Sequence, residues 1–408
     1  MRGIVATRIA EREQSLEIYE VGGAVRDSLL GRPVADRDWV VTGATAEDML
    51  ALGYRQVGRD FPVFLHPETH EEYALARLER KQSAGYRGFS FDTSRAVTLE
   101  QDLARRDVTV NAMARDSTGR LIDPYGGQAD LAAGLLRHIT PAFAEDPLRV
   151  LRVARFAARF AYTVHPQTLA LMQTLAESGE LDTLTPERVW RELERALSEP
   201  HPAHFFSVLR ACGALAVLFP EIEGLFALPP PMDAADEANA GMALLSVLDR
   251  AAAQSAAVEV RFALLMLPTA ALASPPEAAA EALSQRLRVP VAMRELAVLA
   301  VRHRAKIAAA CELDPPALMQ LLLALDALRR PERLRDVLAV CALTVGAAPE
   351  HYEPSRLLQR LNTVCRNVHP DPAIAATAKG PAIRDALNAA RTAAVARELA
   401  LIRNASED

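Results

Sequence analysis

The sequence contains few cysteines, and no two of them form a CxxC pair. The four thiols belong to Cys212, Cys311, Cys341 and Cys365. This spacing suits neither a disulfide framework nor a zinc site. We expect reduced thiols that pack among helices, since a free cysteine behaves as a small hydrophobic residue.

Long hydrophobic runs are also missing. The longest uncharged apolar stretch lies between Arg261 and Glu277, and Pro268 interrupts it. A membrane-spanning helix needs about 18 apolar residues or more, so none is expected. Residues 1–16 carry several charges and no continuous apolar core, so they do not read as a secretory signal and receive no assigned role. The prediction is a cytoplasmic protein.

The chain has no overall excess of positive charge. Its formal net charge of −6 argues against a protein that coats nucleic acid over its whole surface. A polyanion is instead expected to bind within the first 160 residues, in a salt-sensitive way, because basic residues are concentrated there. These residues are Arg77, Arg80, Lys81, Arg87, Arg105, Arg106, Arg115, Arg149, Arg152, Arg155 and Arg159.

The pattern of apolar residues changes along the chain. A length of 408 residues with 50% hydrophobic content suffices for two or three domains. Short β-branched and apolar runs predict strands at 18–21, 39–41 and 72–76, with a short helix at 24–30. After Thr140 the helical signals dominate. The predicted fold class is therefore α+β: a head with a mixed sheet and helices, followed by an all-α neck, body and tail.

The positions of the prolines determine the predicted domain limits. Asp146 before Pro147 and Thr185 before Pro186 are typical of helix N-termini. Three prolines at 229–231 mark the best site for a linker or long loop. We predict an N-terminal extension at 1–16, a head domain at 17–140, a helical neck at 141–228, and a helical body and tail at 229–408.

Two glycines, Gly22 and Gly23, stand where the first predicted strand turns into the first helix. Without side chains they let backbone amides approach phosphate oxygens, and Arg26 adds a positive charge on the following helix. Gly-Gly turns are also common where no phosphate binds. The motif therefore indicates a phosphate site only in combination with others.

Two carboxylates, Asp36 and Asp38, directly precede the second predicted strand. Residues two apart on a strand point to the same side, so both can address one cation, and oxygen ligands of this kind suit Mg²⁺. Glu72, on the third predicted strand, is the candidate third carboxylate, although a surface salt bridge explains it nearly as well. A lone Asp-x-Asp also fits a solvated loop, but the preceding glycine pair favours the metal site.

Two further motifs are basic. One is Arg105-Arg106-Asp107, followed by Asn111. In the other, four arginines share one face of a helix at about 100° per residue. They are Arg149, Arg152, Arg155 and Arg159. Both motifs indicate an anion site, whereas a solvated surface is the alternative for the stripe and a helix N-cap is the alternative for Asp146.

Together these motifs resemble those of bacterial class II tRNA nucleotidyltransferases, members of the polymerase-β superfamily. The resemblance is strongest for the multifunctional CCA proteins and extends from about residue 19 to residue 220. The matching motifs are GGAVRD at 22–27, the DRD before an apolar strand at 36–38, VGRDFPVF at 57–64, EYALAR at 72–77, RRDVTVNA at 105–112, DPYGG at 123–127, EDPLRVLRVARF at 145–156 and LTPERVW at 184–190.

The resemblance implies template-independent addition of CCA to the 3′ end of tRNA, with tRNA, CTP and ATP as partners. Asp36 and Asp38 would hold two Mg²⁺ ions, with Glu72 as the candidate third catalytic carboxylate. One ion favours deprotonation of the tRNA 3′-hydroxyl and the other binds the triphosphate, so that attack on the α-phosphorus releases pyrophosphate. Nucleotide contacts are implied for Gly23, Arg26, Arg106, Arg152 and Arg155.

Asp146 and Arg149 match the pair that selects the base in this family. Cytosine and adenine each present an amino donor beside a ring-nitrogen acceptor, whereas guanine and uracil present the reverse. One carboxylate acceptor and one arginine donor can therefore select C and A together. No single motif encodes the count of C, C and then A.

One departure from the family concerns its C-terminal HD phosphohydrolase domain, whose metal chemistry requires a His-Asp pair. This sequence has no His-Asp dipeptide, and residues 260–268 read VRFALLMLP where relatives carry that pair. We expect phosphatase and 2′,3′-cyclic phosphodiesterase activities to be absent. The C-terminal helices are expected to contact tRNA or to mediate a homodimer, and His303 is expected to be an ordinary residue.

Three alternatives stay open at this point. A poly(A) polymerase, or a partial CC-adding or A-adding enzyme, shares the catalytic motifs, although the segments at 57–64 and 72–81 favour complete CCA addition. A hydrolase acting through the C-terminal half is disfavoured by the missing ligands. A non-catalytic tRNA-binding protein is disfavoured by the intact acidic pair.

Overall fold

The computed structural model describes residues 16–34, 36–57, 63–81, 89–369 and 381–407. The predicted extension, apart from Leu16, lies outside the described residues. The centre of the motif at 57–64 and the side chains of Arg80, Lys81 and Arg87 lie outside them as well.

A mixed sheet forms the centre of the N-terminal region. The strands of this region are β1 (Glu17–Val21), β2 (Asp38–Thr42), β3 (Arg55–Val57), β4 (Val63–Leu65), β5 (Glu72–Leu75), β6 (Leu78–Lys81), β7 (Phe89–Asp92), β8 (Ala114–Arg115), β9 (Leu121–Ile122), β10 (Leu135–Leu136) and β11 (Thr163–Val164). The main sheet has the order β3-β4-β5-β2-β1-β8-β9 within the described residues. β2 runs parallel to β5, and the other neighbours in this sheet are antiparallel.

Strand β2 is buried on both faces. Val40 packs in one cluster with Leu103, and Val41 packs in another with Met49 and Phe64. Successive side chains on a strand point to opposite faces, so two adjacent valines reach two different clusters. This double burial fixes the position of the residue at the start of β2, Asp38.

Nine helices lie between residues 23 and 218 of the described chain. They are α1 (Gly23–Leu29), α2 (Ala46–Ala51), α3 (Leu99–Ala104), α4 (Gly127–Ala133), α5 (Leu148–Phe160), α6 (Pro166–Glu177), α7 (Pro186–Ser198), α8 (Pro202–Ala211) and α9 (Ala214–Leu218). α2 and α3 begin with capping boxes, in which Thr45 pairs with Asp48 and Thr98 with Gln101. Short 3₁₀ turns cover Thr109–Asn111, Pro141–Glu145 and Glu180–Thr183.

The remaining elements are helical. They are α10 (Pro220–Glu223), α11 (Ala240–Ala253), α12 (Val258–Met266), α13 (Ala278–Arg286), α14 (Val291–Ala308), α15 (Pro315–Ala324), α16 (Pro331–Thr344), α17 (Glu353–Arg366) and α18 (Pro381–Glu407), with 3₁₀ turns at Gly224–Ala227, Met232–Ala234, Leu267–Leu272 and Ala310–Glu312. The fold class predicted from the sequence is thus confirmed.

The chain divides into two compact units. The first comprises residues up to 192 together with 204–218, and the second comprises 193–203 and residues from 219 onward. This division does not test the predicted domain limits at residues 140 and 228, which stay predictions. None of the helices in the described part of the chain combines the length and the apolar character that crossing a bilayer needs.

The observed strands and the helix after Asp146 lie close to their predicted positions. The three predicted strands lie within one residue of β1, β2 and β5. The helix after Asp146 begins at Leu148, one residue later than predicted, and Pro147 is its N-cap. All four cysteines are free, and three of them are buried, whereas Cys311 is exposed.

Candidate active site

Three strands bring the predicted motifs to one edge of the sheet. β1 is antiparallel to β2 and places Val21 opposite Asp38, while β2 is parallel to β5 and places Asp38 opposite Glu72. Residues that pair across neighbouring strands share a face of the sheet. The end of β1, Asp38 and Glu72 therefore form one row, and the turn at Gly22 follows directly from it.

The carboxylates at this edge are exposed. Asp36 precedes β2, so strand alternation applies to Asp38 alone and not to the pair. The side chains of Asp36, Asp38 and Glu72 form no hydrogen bond or ion pair with any described residue. By contrast, Asp102 and Asp107 in the same region are both paired with arginines. The row thus offers negative charge that the described part of the protein does not neutralise.

This arrangement fits Mg²⁺ bound together with a substrate. No three His, Cys, Asp or Glu side chains among the described residues lie in a group that could hold a metal ion. Glu72 is thus not grouped with Asp36 and Asp38 as a three-carboxylate cage within the described residues, and its catalytic role stays a prediction. Mg²⁺ usually takes one or two protein carboxylates and fills its remaining positions with water and substrate phosphates, which is the ligand set that two exposed aspartates allow.

The glycine turn is built to receive Arg106. Gly22 has a φ of +70°, and a Cβ atom there would lie 2.8 Å from Nη1 of Arg106. Arg106 also donates from Nη2 to Oδ2 of Asp102 at 3.2 Å. Its Nε is buried and has no hydrogen-bond partner among the described residues. One face of this guanidinium therefore lies directly against the turn, where a phosphate would approach.

Arg26 lies beneath the same turn and is buried. Its Nε donates to Oδ1 of Asp27 at 2.9 Å, and its Nη1 donates to Oδ1 of Asn111. Its guanidinium carbon lies 4.8 Å from the ring centroid of Phe160. Burial lowers the pKa of Arg26, and Asp27 opposes this effect. Arg26 is thus held within the protein, and a Cβ on Gly23 would lie 3.5 Å from its Nη2.

Asp107 links the head to helix α5. Its Oδ2 accepts from Arg152, with Nε at 2.8 Å and Nη2 at 2.7 Å, and its Oδ1 accepts from Nδ2 of Asn111 at 2.9 Å. Burial by itself raises the pKa of Asp107, but Arg152 and the hydrogen bond from Asn111 together hold it well below its usual range. Asp107 also raises the pKa of Arg152.

The arginine stripe of α5 is not a solvated surface. Arg155 donates from Nε to Oε2 of Glu192 at 2.6 Å and stacks on Phe156, 4.6 Å from the ring centroid. Arg159 binds Oδ2 of Asp27 at 2.9 Å. Because α5 packs on almost every side, Arg152, Arg155 and Arg159 lie in ion pairs with neighbouring elements, and Arg149 donates to backbone carbonyls.

The two residues implied in base selection lie on either side of the start of α5. Oδ1 of Asp146 accepts from the backbone nitrogen of Leu148 at 3.1 Å, and both of its carboxylate oxygens lie 3.3 Å from Nη2 of Arg188. Arg149 is buried and donates to two backbone carbonyls, from Nη1 to Ala142 at 3.0 Å and from Nη2 to Arg105 at 2.6 Å. In this structure the side chains of both residues thus form hydrogen bonds within the protein.

Sequence reasoning did not assign roles to the partners of these arginines. Asp107 and Asn111 belong to the motif at 105–112, and Arg188 belongs to the motif at 184–190, so these motifs indicated that the residues matter. Asp27 belongs to the motif at 22–27, but Glu192 had no distinguishing signal, because a carboxylate that neutralises a distant arginine cannot be recognised from spacing along the chain.

Comparisons with known proteins agree with this geometry. Residues 18–137 match the family model described as "Poly A polymerase head domain", and residues 161–225 match "Probable RNA and SrmB- binding site of polymerase A". A multifunctional CCA protein of Thioalkalivibrio sulfidiphilus (strain HL-EbGR7) is 50% identical over 400 residues, which cover 93% of this chain and 98% of that protein. One from Pseudomonas aeruginosa (strain LESB58) shows the same identity and coverage.

A solved structure supports the same assignment. The Bacillus stearothermophilus CCA-adding enzyme in complex with CTP is 26% identical, has a TM-score of 0.68, and aligns over 98% of this chain and 97% of that one. The resemblance found in the motifs is confirmed by relatives that match along nearly their whole length. The chain belongs to the multifunctional CCA protein family and is a tRNA nucleotidyltransferase.

Proposed function

We propose that this chain adds and repairs the 3′-terminal CCA of tRNA with CTP and ATP, and that Asp36 and Asp38 hold the Mg²⁺ ions that the transfer requires. The observation that carries this proposal is the row formed by the end of β1, Asp38 and Glu72. It places exposed carboxylates without described partners beside a glycine turn and the guanidinium of Arg106.

The carboxylates and the glycine turn at this edge of the sheet have different roles in the proposed reaction. Bound Mg²⁺ supplies the charge that favours a deprotonated 3′-hydroxyl and neutralises the triphosphate. Asp36 and Asp38 provide its oxygen ligands, and Glu72 adds negative charge next to Asp38. The turn at Gly22 and Gly23 lets the triphosphate approach the backbone closely. No side chain of the protein acts as a nucleophile in this scheme.

We propose that four arginines around the glycine turn position the nucleotide. Arg106 lies against the turn and is the first to meet the triphosphate. Arg26, Arg152 and Arg155 are bound to Asp27, Asp107 and Glu192 in the present state. We propose that they contact the nucleotide when it binds, because the resemblance assigns them this role and a guanidinium pairs with phosphate as it does with carboxylate.

Base selection is proposed for Asp146 and Arg149. A carboxylate accepts from the amino group that cytosine and adenine share, and an arginine donates to the adjacent ring nitrogen. Arg188 contacts both carboxylate oxygens of Asp146, which orients the carboxylate before the base enters.

The C-terminal half is proposed to lack the HD phosphohydrolase activities. Helix α12 holds the segment in which the resemblance implies the metal pair of relatives, and residues 260–266 of it are buried. Its one charged residue in that stretch, Arg261, donates to the carbonyl oxygens of Ala256, Leu197 and Glu199. We propose that this half contacts tRNA or a second copy of the chain.

Stepwise incorporation tests the proposal. Labelled CTP and ATP are offered to tRNA transcripts that end before CCA, after C and after CC, with Mg²⁺ or with EDTA. We expect the unaltered chain to add C, C and A in that order. EDTA, Asp36→Asn and Asp38→Asn should each abolish this addition, whereas Asp182→Asn should retain it. Asp182 is exposed in the same unit, and its side chain forms no hydrogen bond or ion pair with a described residue.

The same assay separates the main alternative. The description of the matching head domain names poly(A) polymerase, and such an enzyme would add adenosines without a defined end and would ignore CTP. Incorporation of CTP therefore rejects an A-only enzyme, and a ladder that stops after three residues rejects a polymerase of undefined length.

A further inference from the structure

Three arginines of the first unit lie around one buried ring, that of Phe160 at the end of α5. The guanidinium carbons of Arg26, Arg32 and Arg159 lie 4.8, 4.9 and 5.2 Å from the centroid of this ring. All three distances are within the roughly 6 Å over which an aromatic face attracts a cation. The ring therefore gathers three positive charges in one place.

The carboxylates of this region do not balance these charges. Among the described residues, Asp27 is the one carboxylate that pairs with any of the three arginines. It contacts Arg26 through Oδ1 at 2.8 Å and Arg159 through Oδ2 at 2.9 Å. The C-terminal end of α1 adds at most about half a negative charge. The group around Phe160 thus keeps an excess of positive charge.

Arg32 carries the part of this excess that is open to solvent. It is exposed, and its side chain forms no hydrogen bond or ion pair with any described residue. Packing against the face of Phe160 does not consume the N–H donors of the guanidinium. Its backbone is held in place, because its nitrogen donates to the carbonyl oxygen of Asp27 at 2.9 Å and Pro33 follows it. Arg32 therefore offers a positioned charge with unused donors.

A backbone phosphate of a nucleic acid is the anion that suits this group. A guanidinium donates two parallel hydrogen bonds to phosphate oxygens. The ring of Phe160 is 7% exposed, so it is not available to stack on a base. Contact through Arg32 would therefore reach the phosphates and not the bases, and it would not depend on the nucleotide sequence.

Arg32 follows the end of α1 that is opposite the glycine turn. The helix begins after Gly22, and its seven residues span about 10 Å. Because the triphosphate is proposed to bind at the turn, an anion at Arg32 belongs to the RNA strand whose 3′ end meets it there. We propose that Arg32 binds a backbone phosphate of tRNA near its 3′ end, an inference that rests on the proposed function.

The salt dependence of tRNA binding tests this on the full-length chain without nucleotide. Fluorescence anisotropy of a labelled tRNA transcript that ends in CC gives the affinity between about 50 and about 200 mM KCl. Arg32→Gln is expected to weaken binding about three- to fivefold at the lower salt, as the loss of one exposed ion pair does. The slope of log affinity against log salt should become shallower by about 0.7, because one phosphate contact fewer releases fewer counterions.

Two further variants separate a specific contact from a general effect of charge. Arg55 is exposed on β3, its side chain has no hydrogen bond or ion pair with a described residue, and three strands lie between β3 and β1 in the main sheet. Arg55→Gln removes the same charge and should leave the affinity and the slope unchanged. Arg32→Lys keeps the charge and should retain most of the salt dependence.

Kinetics give a second readout. Arg32→Gln should raise the KM for tRNA by a similar factor and leave kcat and the KM for CTP unchanged, since Arg32 is proposed to contact neither the reacting atoms nor the nucleotide. If the unaltered chain added no CCA, the proposed function would fail, whereas the anisotropy comparison would still report on Arg32.

Three results would overturn the proposal. The first is equal tRNA affinity of Arg32→Gln and Arg55→Gln. The second is a salt dependence that Arg32→Gln leaves unchanged. The third is a raised KM for CTP with an unchanged KM for tRNA, which would assign Arg32 to the nucleotide instead.

Discussion

The guanidinium of Arg152 and the carboxylate of Asp107 meet in a two-point ion pair, with Nε at 2.8 Å and Nη2 at 2.7 Å from the same oxygen. Asp107 belongs to the arginine-rich motif of the head, and Arg152 belongs to helix α5. The pair therefore connects the segment that presents Arg106 to the helix that carries Arg149. Loss of either partner leaves the other charge in a site where water reaches it poorly.

The first prediction concerns Asp107→Asn. We expect it to lower the free energy of unfolding of the first unit by about 2 to 3 kcal/mol, at or below the lower end for a broken buried pair, because the Arg152 side chain is 35% exposed and partly regains water. Both tryptophans, Trp39 and Trp190, lie in this unit, so urea unfolding followed by tryptophan fluorescence reports on it. Asp182→Asn should unfold like the unaltered chain, and equal loss in the two variants would refute the role of the pair.

A pH dependence follows from the same carboxylate. The pKa of Asp107 is lower in the folded state than in the unfolded state, where it is about 3.9. Its ionised form therefore stabilises the fold above the unfolded-state value, and this contribution is lost as the pH falls further. We expect the difference in unfolding free energy between the unaltered chain and Asp107→Asn to be constant from pH 7 to about pH 5 and to shrink below about pH 4. A difference that grew on acidification would contradict this sign.

Gly22 and Gly31 allow the effect of backbone strain to be measured apart from the effect of the contact with Arg106. Gly22 and Gly31 have φ values of +70° and +66°, but a Cβ would contact Arg106 only at Gly22 and meets nothing within 4 Å at Gly31. Alanine at either position should cost about 1 to 2 kcal/mol of stability, because a left-handed conformation disfavours a Cβ. Only Gly22→Ala should also displace Arg106 and raise the KM for CTP and ATP. Equal KM values for the two variants would show that the contact with Arg106 has no part in nucleotide binding.

The sequence predicted those parts of the site that depend on local chemistry. The glycine turn, the start of β2 and the helix after Pro147 were expected within one residue, because hydrophobic alternation and proline act over a few positions. The row that joins Asp38 to Glu72 needed the parallel pairing of β2 with β5, which strand patterns alone do not specify.

The state of the arginines could not be predicted in the same way. Periodicity places Arg149, Arg152 and Arg155 on one face of α5 but does not show what packs against that face. The carboxylate partners of Arg152 and Arg155, Asp107 and Glu192, lie 45 and 37 residues away. A stripe that suits a solvated surface by composition is therefore, in the fold, a set of paired and largely buried charges.

The role of Glu72 can be tested against its neighbour. Glu72→Gln should lower the rate of CTP incorporation about tenfold, equivalent to about 1.4 kcal/mol of transition-state free energy, and raise the Mg²⁺ concentration needed for half-maximal rate. The reason is its register opposite Asp38. Glu71→Gln is the matched control, since the Glu71 carboxylate accepts from the hydroxyl of Thr69 at 3.2 Å. The same Mg²⁺ dependence in both variants would make Glu72 a surface residue.

The last prediction concerns base selection by Asp146. Asparagine at this position keeps an oxygen that can accept from the backbone nitrogen of Leu148, so the start of α5 should remain intact. Its amide also carries donors, which can pair with the carbonyl oxygen that uracil presents where cytosine has an amino group.

We therefore expect Asp146→Asn to lower the ratio of CTP to UTP incorporation about tenfold or more, because a buried polar site discriminates strongly only while its groups match the substrate. Glu145→Gln, one residue earlier, should leave the ratio unchanged. The ratio of CTP to UTP incorporation is measured as single-nucleotide addition to tRNA transcripts that end before CCA, with each triphosphate offered alone. A fall in the CTP rate without any gain in UTP use would mean that Asp146 supports the helix and Arg188 but does not read the base.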